Sequence, residues 1–459
     1  MVVLAPLDTQ RRDEMFHLSW FLGNGFGIQA WSPTNGDGPW VGSNVADWTK
    51  PDLYIDLTQS LERGGFDYLM IEDTAMVDDS YGGDAEVVLR RGFMAPKNDP
   101  MPLVPLLTRA TKSIGVISTV STIQYHPYLA ARLFTTLDHL TEGRVGMNVV
   151  TSVNDRVAQN YGYDEHFDHD ERYRMAMEWV EVVKQLQDSW KEGAIIADPV
   201  KGVYADHTKV QPIDFAGKYF RSRGPLNTIP GPQRIVPVCS AGSSEGGRVL
   251  AAAYDDTMIS LVGSVAEAKE YREDMRRRVA EFGRDPDQVK FLFLISPIVE
   301  ATDEEARETA RLLDLDASSD ANIEERLWHT SYAAGGRIDF KQFPLDIPVK
   351  DIDFSKQNGE FTTIQRIFGD FGDRTLREAM SLKGLLNGEL NFIGSPDTVA
   401  AKMDEAMQEI GGDGFMVFLP TTRVTIAKIT DGLSAALRRR GVIRDGFSET
   451  TLRGHLQEF

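Results

Sequence analysis

One apolar strand that delivers polar side chains is where this sequence could do chemistry. Gly143-Arg144-Val145-Gly146-Met147-Asn148-Val149-Val150-Thr151-Ser152 reads as a buried strand with Asn148 near its carboxyl end. An Asn amide donates and accepts at once, so it can pair with the mixed edge of a pyrimidine-type ring. It can equally tie down a loop. Asp164, His166, Asp168, His169 and Asp170 follow closely. Imidazoles and carboxylates invite a metal reading, but their spacing here fits no standard ligand motif. Aspartates at a helix start serve as caps and first-turn charges, so no metal site is assigned. His169 could instead meet a phosphate or a ring edge. Tyr173, one turn on, carries a phenol that can donate to a phosphate or simply pack.

A second constellation is Ser240-Ala241-Gly242-Ser243-Ser244-Glu245-Gly246-Gly247, after a strand and before a helix. Free N–H groups and small hydroxyls at a helix amino terminus suit a phosphate monoester, although a well-capped helix looks the same. Barrel phosphate sites more often follow the seventh and eighth strands. Ser118, Ser121, Tyr125 and His126 line the end of another strand and its loop. Trp31, Trp40 and Trp48 lie in a Gly/Pro/Asn-rich loop from Gly23 to Pro51, where they could wall an apolar pocket or staple the loop. Trp31, Tyr125 and His126 are the candidates for a substrate pocket. The one cysteine, Cys239, sits in the apolar run Ile235–Ser240 and reads as a small buried hydrophobe. No Ser-His-Asp order, paired-carboxylate spacing or Cys/His zinc pattern stands out, so no catalytic acid or base is named. That suits an enzyme whose hard chemistry belongs to a cofactor.

The elements that must position these groups alternate strand and helix. Strands are expected at Phe16–Leu22, Tyr68–Ile71, Ile114–Ser121, Arg144–Val150, Ile235–Ser240, Thr257–Leu261, Lys290–Pro297 and Gly414–Leu419. Helical patterns lie between most of them, among them Pro127–Leu140 and Asp170–Trp190. Eight βα units close an α/β barrel, a (β/α)8 TIM fold. The rival, a doubly wound open sheet, needs a Gly-rich turn feeding a helix after the first strand, and no helix follows Gly23-Asn24-Gly25-Phe26-Gly27. Residues 191–234 and 314–390 break the alternation and read as insertions after strands 4 and 7 of a single 1–459 domain. Short extended pieces such as Lys218-Tyr219-Phe220 are expected in the first, and a lid over the barrel mouth could sit in the second.

Composition bounds the function. A chain of 459 residues, 42% hydrophobic, can bury a large core without disulfides. A net charge of −20 repels phosphodiester backbones, so nucleic acid is excluded as a partner. Arg221, Arg223 and Arg337 are the candidates should a substrate be polyanionic, with solvated surface the competing reading. No apolar run reaches the ~20 residues that span a bilayer, and the start lacks a secretory pattern, so a cytoplasmic protein is expected.

Several longer motifs, in order, resemble one family. They are Leu61-Glu62-Arg63-Gly64-Gly65-Phe66-Asp67, Asn98-Asp99-Pro100, Thr136-Leu137-Asp138-His139-Leu140-Thr141-Glu142-Gly143-Arg144, Asn148–Ser152, His169-Asp170-Glu171-Arg172-Tyr173, Gly283-Arg284-Asp285-Pro286 and Thr451-Leu452-Arg453. Over nearly its whole length the chain resembles the two-component FMN-dependent monooxygenases of the bacterial-luciferase-like superfamily. These include nitrilotriacetate monooxygenase, dibenzothiophene-sulfone monooxygenase and pristinamycin synthase. The resemblance implies reduced FMN supplied by a separate NAD(P)H:flavin reductase, O2 as co-substrate, and a C4a-peroxyflavin that oxygenates a small organic molecule, with sulfur or nitrogen compounds among the options. It implies a homodimer or homotetramer. It also implies that Phe21, Asp73, Ser121, Asn148, His169 and Tyr173 surround the flavin, and that Ala241, Gly242, Ser243 and Ser244 hold its phosphate. A deazaflavin-dependent dehydrogenase of the same superfamily and, more distantly, a metal-dependent hydrolase barrel are the alternatives.

Overall fold

Successive side chains of a strand point to opposite faces, and this chain has eight runs apolar enough to bury both. A computed structural model describes residues 15–31, 47–369, 372–381 and 388–459. The runs form β1 (His17–Leu22), β2 (Tyr68–Ile71), β3 (Gly115–Ser121), β4 (Val145–Val150), β5 (Val238–Ala241), β6 (Thr257–Ser260), β7 (Lys290–Ile295) and β8 (Gly414–Val417). Neighbours pair in parallel in chain order, and β1 pairs with both β2 and β8, which closes the barrel. The expected fold is therefore the observed one. β5 starts later than the apolar run because Pro237 has no N–H to give the ladder.

The helices around it are α1 (Asp52–Gly64), α2 (Leu103–Ala110), α3 (Pro127–Leu140), α4 (His169–Gln187), α5 (Glu245–Tyr254), α6 (Val265–Glu281), α7 (Asp303–Ala317), α8 (Asp320–Ala333) and α9 (Pro396–Ile410), with a further helical run at 423–440. Leu18, Trp20, Val116, Met147, Phe291 and Phe415 face outward into the core beneath these helices. The alternate residues Tyr68, Met70, Ile117, Cys239, Ile259, Leu292 and Met416 fill the lumen. Leu452 and Leu456, from the last short helix, join that lumen cluster. A Cβ at Gly115 would come within 2.6 Å of Leu452, and one at Gly146 within 3.0 Å, so both strands must carry glycine where Leu452 enters. Among the described residues no helix is long and apolar enough to cross a membrane.

Two segments depart from the expected pattern. In residues 191–234 the extended piece expected at Lys218–Phe220 is a turn joining Phe215–Ala216 to Arg221–Ser222. The carboxylate of Glu178 on α4 forms it, accepting from the N–H groups of Lys218, Tyr219 and Phe220 at 2.9, 2.8 and 2.6 Å. In 314–390, α7 runs on to Ala317, and α8 is followed by the shorter helices Phe361–Phe368 and Leu376–Ser381 among the described residues. The buried stripe of α8 is interrupted by Thr330 and Ser331, which hides its period. Their hydroxyls donate back to the carbonyls of Arg326 and Leu327. This segment has an apolar core of its own, including Trp328, Phe340 and Phe368, which it shares with Tyr81 from the loop after β2 and with Val87 and Val88 from the short helix Glu86–Arg91.

Candidate functional site

Barrel ligands bind at the carboxyl ends of the strands, where loops of several βα units converge. At that end of β1, Phe21 meets Phe418 edge-on, with ring centroids 5.5 Å apart. At the ends of β3 and β4 the hydroxyls of Ser121 and Ser152 lie 2.8 Å apart. Ser152 has φ +57°, a strained left-handed conformation for a residue with a side chain. Asn148 pairs in register with Thr119 on one side and Cys239 on the other. Its Nδ2 donates to Thr119 Oγ1 at 2.8 Å, while its Oδ1 is buried and has no partner.

The second cluster forms where α4 begins beside α5. The backbone N–H of His169 donates to Asn358 Oδ1 at 3.0 Å, and the His169 ring lies 3.0 Å from Asp170 and 5.0 Å, centroid to centroid, from Tyr173. Tyr173 packs over the loop after β5. A Cβ at Gly242 would come within 3.0 Å of its hydroxyl, and one at Gly246 within 2.8 Å of its ring. Burial raises the phenol's pKa, and a hydrogen bond with Ser244 opposes the shift. Ser244 also caps α5 by accepting from the N–H of Gly247 at 3.3 Å. Arg248 donates to the Ser243 carbonyl at 3.0 Å and pairs with Asp274 at 2.7 Å. The loop thus combines helix-start amides, small hydroxyls, a phenol and a nearby guanidinium, a set suited to a phosphate.

An acidic group completes this end. Lys97 pairs with Glu72 at 2.6 Å. Burial lifts the carboxyl of Asp73 to about 7, the Glu72 charge adds to this, and Lys97 opposes it. Tyr125 donates to Asp99 at 3.5 Å, and its phenol is raised by burial and then by Asp99 and Asp73. Such a carboxyl holds or releases a proton near neutral pH.

Residues 30–414 match the family model described as luciferase-like monooxygenase. The chain belongs to the luciferase-like monooxygenase family. A similar family member is the N-acetyl-S-(2-succino)cysteine monooxygenase of Bacillus subtilis (strain 168), 32% identical over 90% of this chain and 94% of that protein. The dibenzothiophene-sulfone monooxygenase of Rhodococcus erythropolis (strain XP) is 31% identical over 98% of this chain and 97% of its own length. The crystal structure of DmoA from Hyphomicrobium sulfonivorans superimposes with TM-score 0.82 at 31% identity, covering 97% of this chain and 92% of that one. The protein is accordingly a monooxygenase, and the family read from its ordered motifs is the family found.

Within this luciferase-like barrel, other candidates have structural partners. Trp31 donates to the Arg91 carbonyl at 2.7 Å and staples the first loop. Trp40 lies outside the described residues, and the Trp48 carbonyl accepts from Tyr54 at 2.9 Å. His126 is exposed, caps α3 through Nδ1 and rests against Phe220. His166 is held near the Thr151 carbonyl at 2.9 Å, accepts from the Phe167 N–H at 3.0 Å, and is driven down to about 4 by burial, so it stays neutral. Among the described residues no group of His, Cys, Asp and Glu could hold a metal. Arg337, considered for an anionic substrate, forms a bidentate pair with Asp155 at 2.9 and 3.0 Å.

Sequence reasoning missed Arg172, which is fully buried and donates to the carbonyls of Ser152 and Asn358, each at 2.5 Å. Its signal was its place in the stripe Arg172, Met175, Ala176, Trp179, Val183. An arginine on an apolar helix face needs buried acceptors.

Proposed function

We propose that the protein is a flavin-dependent monooxygenase that takes reduced FMN from a separate NAD(P)H:flavin reductase and uses O2 to oxygenate a small organosulfur molecule. The observation that carries the flavin is the α5 start, where Tyr173 lies over Gly242 and Gly246 beside Ser243 and Ser244. The buried, unpartnered Oδ1 of Asn148 fits the same group, because a flavin ring offers N–H donors. Names of two similar proteins contain organosulfur compounds, which supports that substrate class.

Ala241, Gly242, Ser243 and Ser244 would hold the FMN phosphate, with Tyr173 and His169 beside it. Phe21, Asp73, Ser121 and Asn148 would surround the ring. The flavin, once reduced, activates O2 for transfer of one oxygen atom. The chain's own residues bind, orient and exclude water. Asp73, poised near neutrality, can hold a proton at its carboxyl, and its charge acts on the phenol of Tyr125.

The test is anaerobic titration with reduced FMN, then turnover with a flavin reductase under 18O2 against a panel of thioethers and sulfones. Binding of FMN and one labelled oxygen atom in a product are expected. Absence of binding to either redox state would overturn the reading, and binding of a deazaflavin in its place would favour hydride transfer.

A further inference from the structure

The geometry points to Thr119 as a positioning residue: it sets the amide of Asn148 so that a bare carbonyl oxygen faces a ring N–H of the ligand. The inference rests on the flavin reading above and adds a residue that the motifs did not single out.

Thr119 and Asn148 are register partners on β3 and β4, and both are buried. Thr119 Oγ1 lies 2.7 Å from the carbonyl oxygen of Ile71. A carbonyl oxygen can only accept, so the single hydroxyl proton is committed to it. The same Oγ1 lies 2.8 Å from the Asn148 side-chain amide. With its proton engaged, Oγ1 can only accept there, so the amide must turn its NH2 toward Thr119. Oδ1 therefore points the other way. Asn148 is 5% exposed, and this oxygen has no partner in the protein.

An unmet buried acceptor is destabilising, and it persists where a ligand supplies the donor. Oxidised isoalloxazine has one ring N–H. With the amide reversed, the site would set donor against donor and reject that edge. The chain Ile71–Thr119–Asn148 thus selects a heterocycle with an N–H at that position.

The experiment titrates oxidised FMN into the wild type, Thr119→Val, Thr119→Ser, Asn148→Ala and the Thr119→Val/Asn148→Ala double variant. Valine keeps the shape of threonine and removes the hydroxyl. Thr119→Val is expected to weaken FMN by about tenfold, the worth of one buried hydrogen bond, and Thr119→Ser to restore most of it. In the Asn148→Ala background Thr119→Val should cost nothing further, because no amide remains to orient. FMN methylated at the ring N–H should bind the wild type about tenfold more weakly and Thr119→Val with little further loss. If Thr119→Val does not fold, Thr119→Ala takes its place in every arm.

Unchanged FMN affinity in Thr119→Val overturns the inference. Additive losses in the double variant overturn it as well, since a side chain acting only by packing would give them. Where only reduced FMN binds, the same series is run anaerobically with it, and a wild type that binds neither redox state removes the flavin reading and this inference together. A wild type that binds FMN, alongside a Thr119 variant that binds it equally, removes the inference alone.

Discussion

Arg172 donates through Nη1 to the carbonyl of Ser152 at 2.5 Å, and Ser152 is the left-handed residue that turns the chain away from β4. The Ser152 hydroxyl in turn meets Ser121 of β3. The other arm of the guanidinium reaches the Asn358 carbonyl at 2.5 Å. One buried side chain therefore ties the helix carrying His169 and Tyr173 to a strained strand end and to the loop that precedes Phe361–Phe368.

Removing that tie takes the guanidinium donor from the buried Asn358 carbonyl and the half-buried Ser152 carbonyl. Arg172→Met is expected to destabilise the protein by roughly 2–4 kcal/mol, since each unmet acceptor costs about 1–3 kcal/mol. Urea denaturation measures the loss, and limited proteolysis should cut earlier within 320–381. A midpoint equal to that of the wild type would show that the two carbonyls find other donors.

Asp73 makes a prediction with a definite sign. Burial raises its carboxyl to about 7 in the folded protein, against the ordinary carboxylate range when unfolded. The folded state then binds more protons than the unfolded state between about pH 4 and 7, and stability falls as pH rises through that window. Asp73→Asn mimics the protonated form. It should leave the thermal midpoint unchanged below about pH 4, raise it above pH 7 and lower turnover. Equal midpoints at pH 8 would contradict the assignment.

The loop after β5 should discriminate FMN from riboflavin. Gly242→Ala places a methyl group 3.0 Å from the Tyr173 hydroxyl and must displace one or the other. It is expected to weaken FMN by about tenfold or more and riboflavin much less, as the loss falls on phosphate contacts. Ser243→Asp should weaken FMN further by like-charge repulsion. Equal losses for both flavins would place the phosphate elsewhere.

Leu452 seals the other end of the barrel. It is fully buried and enters the lumen beside Gly115 and Gly146. Leu452→Ala should cost about 2–5 kcal/mol, the range for a buried leucine that leaves a cavity. A chemical denaturation curve checks this, and FMN affinity should change little, because the plug lies at the opposite end from the candidate site.

The strands and most of the helices were legible because their signal is local. Runs such as Lys290–Ile295 are buried on both faces, and Pro127 and Ser264 mark helix starts by backbone chemistry that needs no distant partner. Helices α8 and α9 were missed. Buried hydroxyls break the first pattern, and the second was passed over although Pro396 stands in its first turn. The candidate site was legible as a set of residues on strand ends and helix starts, since Asn148, His169, Tyr173 and the loop from Ala241 all fall at such places.

The sequence by itself determined the alternation of elements, and with it the closed parallel barrel. Hydrophobic periodicity and helix-start chemistry act over a few residues and can be read along the chain. Only the tertiary structure decided which buried groups satisfy one another: Arg172 with Ser152 and Asn358, Thr119 with Ile71 and Asn148, and Tyr173 with the glycines of the next βα unit. Those partners lie far apart in sequence. A hydrogen bond depends on distances of a few tenths of an ångström, which exist only once the barrel has closed.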